Sequence, residues 1–389
     1  MSHESFASRT NWNLSSNRLA QALARHRAAG KPLLDLTTSN PTACGFRYDG
    51  DAILAALSNP ASLAYTPDPK GLEPARRAVA AYYAERDAAV DPARLILTTS
   101  TSEAYSFVFR LLCNPGDEIL VPSPSYPLFD FLAGLQDVSL VRYPLVYDHG
   151  WQIDFDALSR AVSPRTRAII VVHPNNPTGH FCSASDAAKL NDLCSRRHLA
   201  LIADEVFLDF SLLEPRPRTF AANDSALTFT LSGISKISGL PQMKLAWLAV
   251  SGPSAARDAA LARLEVIADT YLSMNAPIQH AASALIDQRR AFLPQLMDRV
   301  RRNIAALDRL LASQTLCCRL EIQGGWYAVL RVPATRSDED LAISLLASRN
   351  VYLHPGHFYD FPSDGYLVVS LITPESDFAQ GIDSLLRSF

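Results

Sequence analysis

Lys236 lies in a run of small and polar residues, Ser232-Gly-Ile-Ser-Lys236-Ile-Ser-Gly239, that follows a β-prone segment and precedes a Leu-Pro break. The pattern predicts a short, tight loop in which hydroxyls and backbone N–H groups surround the amine. Such surroundings suit a lysine whose amine loses its proton and attacks a carbonyl carbon, as in Schiff-base chemistry. A solvated loop lysine is the other interpretation of this run, so the choice depends on the rest of the chain.

Two polar clusters follow predicted strands before the middle of the chain. Ser100, Thr101 and Ser102 come after the predicted strand 95–99, at the start of an apolar helix. Free N–H groups, hydroxyls and the positive end of the helix dipole can bind a phosphate there, although an ordinary helix cap is the alternative. Tyr126 follows the next predicted strand, and its ring could stack on a planar ligand or simply pack in the core.

Two further clusters end later strands. Asn176 belongs to the turn His173-Pro-Asn-Asn-Pro-Thr-Gly179, and Asp204 closes the apolar strand 199–204. Because a buried carboxylate is costly without a cation or donors, we expect Asp204 to have a positive partner, such as Lys236 or a protonated ring nitrogen. Ligands of open α/β sheets bind at the carboxyl ends of strands, so these clusters predict one site.

The elements that must position these residues alternate along the chain. Short apolar strands and helices alternate through the central part, which predicts an α/β fold with a mostly parallel sheet buried on both faces. Helices dominate from about 253 to 313, one of them long, and the last hundred residues mix strands (320–322, 325–331, 366–371) with two helices. We expect an N-terminal segment 1–45 and a C-terminal part 286–389 to form one small α+β domain beside a large domain, 46–285.

Composition limits the class of protein. The 389 residues carry 36 Lys and Arg and 39 Asp and Glu, a net charge of −3 that gives no indication of nucleic acid or an anionic membrane as a partner. The six cysteines have neither zinc-site nor disulfide spacing, so we expect reduced thiols and no metal. The N-terminus lacks a secretory pattern, and no apolar run approaches the roughly 18 residues of a membrane span. We therefore expect a soluble cytoplasmic protein.

Several motifs together make the chain resemble a known family. In order along about residues 15–385 they are Asn40-Pro41, Tyr65…Gly71-Leu72, Pro124-Ser-Tyr126, Asn176-Pro-Thr-Gly179, Asp204-Glu-Val and Ser235-Lys236. The chain resembles the class I/II aminotransferases, which are pyridoxal-phosphate enzymes of fold type I, the aspartate aminotransferase superfamily. The resemblance implies a three-layer α/β fold, pyridoxal 5′-phosphate as cofactor and a homodimer with shared active sites.

The resemblance also implies roles for individual residues. Lys236 matches the lysine that forms the internal aldimine and then moves the proton between Cα and C4′. Asp204 matches the carboxylate that keeps the pyridinium nitrogen protonated, Asn176 the donor to the ring 3′-oxygen, and Tyr126 the aromatic stacked on the ring. The residues that match phosphate ligands are Ser100, Thr101, Ser102, Ser235 and, where the family has an arginine, Lys244. Tyr65 matches a tyrosine that reaches the neighbouring subunit's phosphate, and Ser273 is a second candidate cross-subunit contact.

Two departures from the family pattern affect chemistry and substrate. Phe207 stands where the family usually has a tyrosine that bonds the 3′-oxygen, so one donor is missing. Val368 stands where family members that use α-amino acids have the arginine that binds the substrate carboxylate. Either another group, for which Arg47, Arg331 and His357 are candidates, takes that role, or the substrate lacks that carboxylate. His357 and His354 are expected to be exposed loop histidines, with ligand contact as the alternative.

The expected function is an aminotransferase that moves an amino group from an amino donor to an oxo-acid or aldehyde acceptor by a ping-pong mechanism. Decarboxylation, C–S or other lyase chemistry and oxidation use the same lysine, aspartate and asparagine, so they stay open as alternatives. A non-catalytic, ligand-sensing module of a transcription regulator needs a fused DNA-binding domain, which the short stretch before the first helix cannot hold. The amino donor and the acceptor are not identified by the residues.

Overall fold

The computed structural model describes residues 6–389, and its strands form three sheets. The strands are β1 Leu34–Asp35, β2 Leu95–Thr98, β3 Glu118–Ser123, β4 Ser139–Tyr147, β5 Trp151–Ile153, β6 Thr166–Val172, β7 Ala200–Asp204, β8 Thr228–Gly233, β9 Ala246–Ser251, β10 Cys318–Arg319, β11 Tyr327–Arg331, β12 Val351–Tyr352, β13 His354–Pro355 and β14 Tyr366–Ser370. The expectation of no secretory signal falls mostly on residues 1–5, which lie outside the described residues.

Helices connect these strands and cover the sheets. They are α1 Arg18–Ala28, α2 Gly50–Leu57, α3 Glu73–Ala84, α4 Thr101–Leu112, α5 Phe129–Gly134, α6 Phe155–Ala161, α7 Ala184–Arg197, α8 Ile234–Ile237, α9 Ser254–Thr270, α10 Ala276–His280, α11 Ala282–Asp287, α12 Arg289–Leu311, α13 Asp338–Arg349 and α14 Glu375–Leu386. Short 3-10 helices lie at Ser8–Thr10, Pro41–Ala43, Pro60–Leu63, Pro92–Arg94, Pro241–Met243 and Gly356–Tyr359. Among the described residues no helix combines the length and apolar character of a membrane span.

The largest sheet has the strand order β2-β9-β8-β7-β6-β3-β4-β5. Its middle strands, from β8 through β7, β6 and β3 to β4, pair in parallel, whereas β9 and β5 pair antiparallel with their neighbours. The predicted α/β class with a mostly parallel sheet is therefore confirmed. The sequence analysis assigned no element to β9, which begins two residues after Lys244 and closes the sheet between β2 and β8.

Helices cover both faces of this sheet, which makes the large domain three layers deep. One face packs against α4, α5 and α9 around a core that includes Val108, Leu132 and Leu264. The other face packs against α6 and α7 on one side and α3 and α11 on the other. Because both faces are buried, the strands consist of apolar runs, and polar side chains concentrate at the strand ends.

A smaller sheet, β10-β11-β14-β13, is antiparallel throughout, and the N-terminal β1 pairs in parallel with β12 from the C-terminal part. The long predicted helix is α12, with 23 residues; Arg289 at its start bonds Glu85 beside α3, and farther along it packs on α14. The domain limits proposed from the sequence stay a prediction.

The predicted strand 320–322 is wrong. The strand is β10, at Cys318–Arg319. Leu320 still donates its N–H to the Val329 oxygen of β11 at 2.9 Å, and the residues after it contact the large-sheet side. The backbone N–H of Glu321 donates to Tyr147 Oη at 3.1 Å, and the side-chain oxygen of Gln323 accepts from the Phe181 N–H at 3.0 Å. These contacts with the large-sheet side redirect the segment, and an apolar pattern of three residues carries no information about them.

Candidate active site

Asp204 ends β7 in the middle of the large sheet, and its side chain is buried. Oδ2 accepts a hydrogen bond from Tyr105 Oη at 2.9 Å, and Oδ1 accepts from the Val206 N–H at 3.1 Å. Its backbone oxygen accepts from the His173 N–H at 2.8 Å, which aligns the ends of β6 and β7. Burial raises the pKa of the Asp204 carboxyl, and the Val206 N–H, the Tyr105 hydroxyl and the charge of Lys236 oppose that rise.

The expected cationic partner of Asp204 stays a prediction, and the direct contacts of its carboxylate within the described chain are neutral. The hydrogen bonds it accepts in the described chain come from neutral donors, a tyrosine hydroxyl and a backbone amide. Lys236 forms no ion pair with it among the described residues, yet each group shifts the pKa of the other. Each of the two neutral donors offsets part of the cost of removing one carboxylate oxygen from water.

Lys236 lies on α8, a single helical turn between β8 and the 3-10 helix Pro241–Met243, so the predicted loop is wrong. Its Nζ lies 4.8 Å from the centre of the Trp326 ring and 5.5 Å from that of Phe207. Removal from water by these aromatic neighbours lowers the pKa of Lys236 to about 8, against the opposing effect of Asp204. The amine is therefore neutral in about a tenth of the molecules at pH 7, far more than for a solvated lysine.

Trp326 and Tyr327 form the wall opposite the large sheet, and the sequence analysis missed both. Trp326 is fully buried and meets Phe207 edge to face at 4.9 Å. Tyr327 begins β11, and burial raises its pKa, with the neighbouring Trp326 and Ser39 side chains opposing the rise. The preceding pair Gly324-Gly325 is the sequence signal that could have indicated them. A Cβ on Gly324 would lie 2.7 Å from the Phe210 backbone oxygen, so glycine allows the chain to come this close to the large-sheet side just before Trp326.

Asn176 lies in the turn after β6 and is buried, with an Oδ1 that accepts no hydrogen bond. The same turn holds Gly179 against the small-sheet side, because a Cβ there would lie 2.6 Å from the Gly324 backbone oxygen. Gly179 also has φ +71°, a conformation that glycine adopts without strain. The turn is thus fixed between the two sheets, with an unpaired polar atom beside the site.

Tyr126 follows β3 and is 43% exposed, as a side chain at the edge of a cleft would be. Its ring lies edge-on to Phe129 at 6.5 Å, and burial and the charge of Asp204 raise its pKa. The effect of the Asp204 charge on the Tyr126 hydroxyl indicates that the two side chains lie near each other. The Ser125 N–H donates to the Tyr359 backbone oxygen at 2.9 Å, which ties this segment to the small-sheet side.

Ser100 caps α4, and its Oγ accepts from the Glu103 N–H at 3.1 Å. The Glu103 carboxylate accepts from the Thr99 N–H at 2.7 Å, one residue before the position expected in a capping box. Thr101 and Ser102 begin the helix, where the first-turn N–H groups have no partner within the helix. This end of α4 can bind an anion as well as begin a helix.

A cavity of about 580 Å³ adjoins the lysine. It is lined by Ser39, Asn40, Pro41, Thr42, Ser235, Lys236, Pro241 and Gln242. Of the predicted phosphate ligands, Ser235 is thus beside Lys236, while Lys244 is exposed at the end of the Pro241–Met243 helix with φ +54°. Tyr65 is 79% exposed in this single chain and Ser273 is half-buried.

Val368 is 1% exposed and lies in β14 between Val329 and His354. The expectation that His354 is exposed is wrong, because its Nδ1 lies 3.1 Å from Tyr359 Oη and the side chain is half-buried. His357 is exposed, as expected. The proposed replacements Arg47 and Arg331 are exposed as well, and neither lines the cavity at Lys236.

The site combines a desolvated amine, a buried carboxylate with a free lone pair on each oxygen, an amide, an exposed aromatic ring and a helix N-terminus. An amine of lowered pKa can add to an aldehyde, and a carboxylate can hold a proton on a ring nitrogen. The aromatic ring can stack on that planar ring, and the helix end can bind a phosphate. This set of groups fits a phosphorylated aromatic aldehyde that contains a ring nitrogen.

Comparison with known proteins agrees with this chemistry. An alanine aminotransferase of Mycobacterium tuberculosis is 28% identical over 379 residues, which cover 94% of this chain and 87% of the relative. A glutamate-pyruvate aminotransferase of Haemophilus influenzae is 27% identical over 372 residues, covering 92% and 91%. The crystal structure of an aminotransferase from Escherichia coli matches with a TM-score of 0.86 and 25% identity over 98% of this chain and 97% of that chain.

The match to a family covers most of the chain. Residues 32–379 match the family described as Aminotransferase class I and II, whose members use pyridoxal 5′-phosphate. A mutant of Thermus thermophilus aspartate aminotransferase shares the fold, with a TM-score of 0.85 at 21% identity over 99% of both chains. The three-layer fold and the cofactor predicted from the resemblance are thereby confirmed, and the chain belongs to the class I and II aminotransferases.

Proposed function

We propose that this aminotransferase binds pyridoxal 5′-phosphate among Lys236, Asp204, Asn176 and Tyr126 and catalyses amino transfer there. In one half-reaction an amino donor gives up its amino nitrogen and a Cα proton, takes an oxygen atom from water and leaves as an oxo compound. In the other an oxo acceptor takes up the nitrogen and a proton at that carbon, releases its oxygen as water and leaves as an amine. When bound, the cofactor supplies an electron-accepting ring and carries the amino group between the half-reactions.

The observation that carries this proposal is the desolvated amine of the half-buried Lys236 near the buried carboxylate of Asp204. With a pKa of about 8, Lys236 can hold a proton or release it near neutral pH, as a group that moves the Cα proton must. Its position on a one-turn helix, between the Trp326 and Phe207 rings, limits the reach of the amine to the cavity. We therefore assign to Lys236 both covalent attachment of the cofactor and the proton transfer.

Asp204 and Asn176 would hold the ring. Each oxygen of Asp204 accepts one hydrogen bond from the protein, which leaves lone pairs for a proton held between the carboxylate and a ring nitrogen. Asn176 offers its amide beside the same strand ends. Phe207 packs on Trp326 and has no hydroxyl to donate. The 3′-oxygen of the cofactor therefore has one protein donor fewer than the family pattern would give.

The phosphate would lie at the N-terminus of α4. Thr101 and Ser102 offer first-turn N–H groups and hydroxyls there, and Ser235 lines the cavity beside Lys236. Lys244 would add a positive charge as a single point, without the paired donors of an arginine. We therefore propose that helix N–H groups and hydroxyls provide most of the phosphate contacts in this chain.

We propose a homodimer with shared sites, as the resemblance implies. Several apolar side chains are largely exposed in the single chain: Leu63 by 92%, Tyr65 by 79% and Leu54 by 64%. Leu54 lies on α2 and Leu63 on the Pro60–Leu63 helix, which both contact α10, and Tyr65 follows two residues after Leu63. An exposed apolar surface of this kind is typical of a protein interface.

The reducing cytoplasm is the compartment that we propose. All six cysteines are free, and Cys182 and Cys194 are buried, where burial raises their pKa values and keeps the thiols unreactive. A disulfide in the protein isolated from its own cells would contradict this placement.

Among residues 6–389, no arginine that could bind a substrate carboxylate is found at the cavity beside Lys236. Val368 is buried between Val329 and His354, and the cavity beside Lys236 is lined by no arginine. Arg47 and Arg331, the candidates for a relocated clamp, are exposed. We therefore propose that an α-carboxylate adds little to the binding of the amino donor.

Replacing a donor α-amino acid by the primary amine with the same side chain tests both the reaction and this feature. A buried ion pair with arginine is worth about 2–5 kcal/mol, or about 30-fold or more in half-saturating concentration. We expect a loss of less than about tenfold, measured by single-turnover conversion of the cofactor absorbance from the aldehyde to the amine form. A loss above 30-fold would contradict the missing clamp, and no conversion with any donor would contradict the aminotransferase reaction.

Leu63→Asp tests the dimer, since a carboxylate in an apolar interface is costly to bury. We expect the wild-type protein to sediment with about twice the 42.6 kDa of one chain, and the variant to shift toward the monomer and lose cofactor affinity. Leu316→Asp is the matched control, because Leu316 is 57% exposed beside β10, far along the chain from that face. A wild-type mass of one chain at micromolar concentration would refute the dimer.

A further inference from the structure

Tyr105 is a buried residue that belongs to none of the sequence motifs, and it contacts Asp204 at the centre of the site. It lies on α4, three residues after Ser102 at the same helix start that offers the anion site. Its side chain is 2% exposed, and its hydroxyl donates to Asp204 Oδ2 at 2.9 Å. A tyrosine that is removed from water in this way needs its hydroxyl paired, and Asp204 is the partner it has.

The hydrogen bond fixes the direction of the carboxylate. The Val206 N–H holds Oδ1 from the chain of β7 itself, and Tyr105 holds Oδ2 from a different helix. With both oxygens held, rotation of the Asp204 side chain would break a hydrogen bond in a buried place. The free lone pairs on the two Asp204 oxygens therefore point in one fixed direction.

Tyr105 is also connected to the side chain proposed to stack on the ring. Its ring meets Phe129 edge to face at 5.4 Å, and Phe129 meets Tyr126 edge to face at 6.5 Å. The helix that offers N–H groups to a phosphate thus also sets the carboxylate through Tyr105, and contacts Tyr126 through Phe129. The proposed contacts with the phosphate, the ring nitrogen and the ring face of the cofactor therefore all depend on α4.

The charged and titratable groups that face Asp204 come from several elements. They are Tyr105 on α4, Lys236 on α8, Tyr126 after β3 and the neighbouring Glu205. Only Tyr105 among them donates a hydrogen bond to the carboxylate. The Tyr105 pKa lies well above its usual value because of burial and the Asp204 charge, so its hydroxyl stays a donor.

We propose that Tyr105 is a positioning residue, whose hydroxyl orients the ionised Asp204 carboxylate so that it holds a proton on the ring nitrogen of bound pyridoxal 5′-phosphate. The inference rests on the proposed role of Asp204. A donor to an ionised carboxylate stabilises the anion relative to the acid. Without it, the carboxylate takes up a proton at a higher pH and then cannot hold the protonated ring nitrogen.

Tyr105→Phe removes the hydroxyl and keeps the ring on Phe129. The measurement is the dissociation constant of pyridoxal 5′-phosphate as a function of pH, with the apo protein. We expect the acid limb of this profile to move upward by about one pH unit, the size of a charge-assisted hydrogen bond. Tyr143→Phe is the matched control, since Tyr143 is equally buried and its hydroxyl donates to the Ile170 backbone oxygen at 2.7 Å.

A cofactor analogue with carbon in place of the ring nitrogen separates this role from a structural one. Protonation of Lys236 weakens the binding of both compounds, but only the true cofactor offers a ring proton to Asp204. We therefore expect the profiles of wild type and Tyr105→Phe to coincide with the analogue.

A Tyr105→Phe profile that coincides with wild type for the true cofactor, or that shifts equally with the analogue or in Tyr143→Phe, would overturn the proposal. A wild-type protein that binds neither compound would instead overturn the proposed site itself. Circular dichroism and the thermal midpoint of both variants establish that the chains remain folded during the comparison.

Discussion

The structure depends on a carboxylate buried in the middle of a sheet. An ionised Asp204 would cost several kcal/mol at the end of β7 if it had no partners, because water is excluded there. The fold offsets this cost with a tyrosine hydroxyl from α4 and a backbone N–H from the following residue. These two donors stabilise the anion without neutralising it, so the charge remains available to a ligand.

Two opposing effects act on Lys236, which lies on the other side of the site. The rings of Trp326 and Phe207 remove its amine from water and favour the neutral form, while the charge of Asp204 favours the protonated form. The balance lowers the pKa to about 8, between the value of a solvated lysine and that of a fully desolvated one. The reactive amine therefore depends on a tryptophan from the small sheet as well as on the large sheet.

Sequence patterns predicted the parts of this site that lie at strand ends. Asp204, Asn176 and Tyr126 each follow an apolar strand, and chain connectivity alone brings such positions to one edge of a parallel sheet. The α/β class followed from the same alternation. Lys236 was predicted as the reactive lysine, which stays a prediction. Its one-turn helix was predicted as a loop, because four residues are too few for a helical period to be visible.

The contacts made across the fold could not be predicted from the sequence. Tyr105 sits within an apolar helix pattern, and nothing local distinguishes it from Phe107 or Phe109. Trp326 is 90 positions from Lys236 in the sequence, and only the folded chain brings the two together. The Tyr105 hydroxyl that bonds Asp204 was not foreseen for the same reason, since it comes from another element of the fold.

Reduction of the cofactor-loaded protein with borohydride, followed by peptide mass spectrometry, tests the central claim most directly. The chain has five lysines, Lys31, Lys70, Lys189, Lys236 and Lys244, so the attachment point is unambiguous. We predict one reduced cofactor per chain, on the peptide that contains Lys236, with an initial rate of capture by the apo protein that rises through pH about 8. A label on another lysine, or a rate that rises only near the pKa of a solvated lysine, would contradict the account.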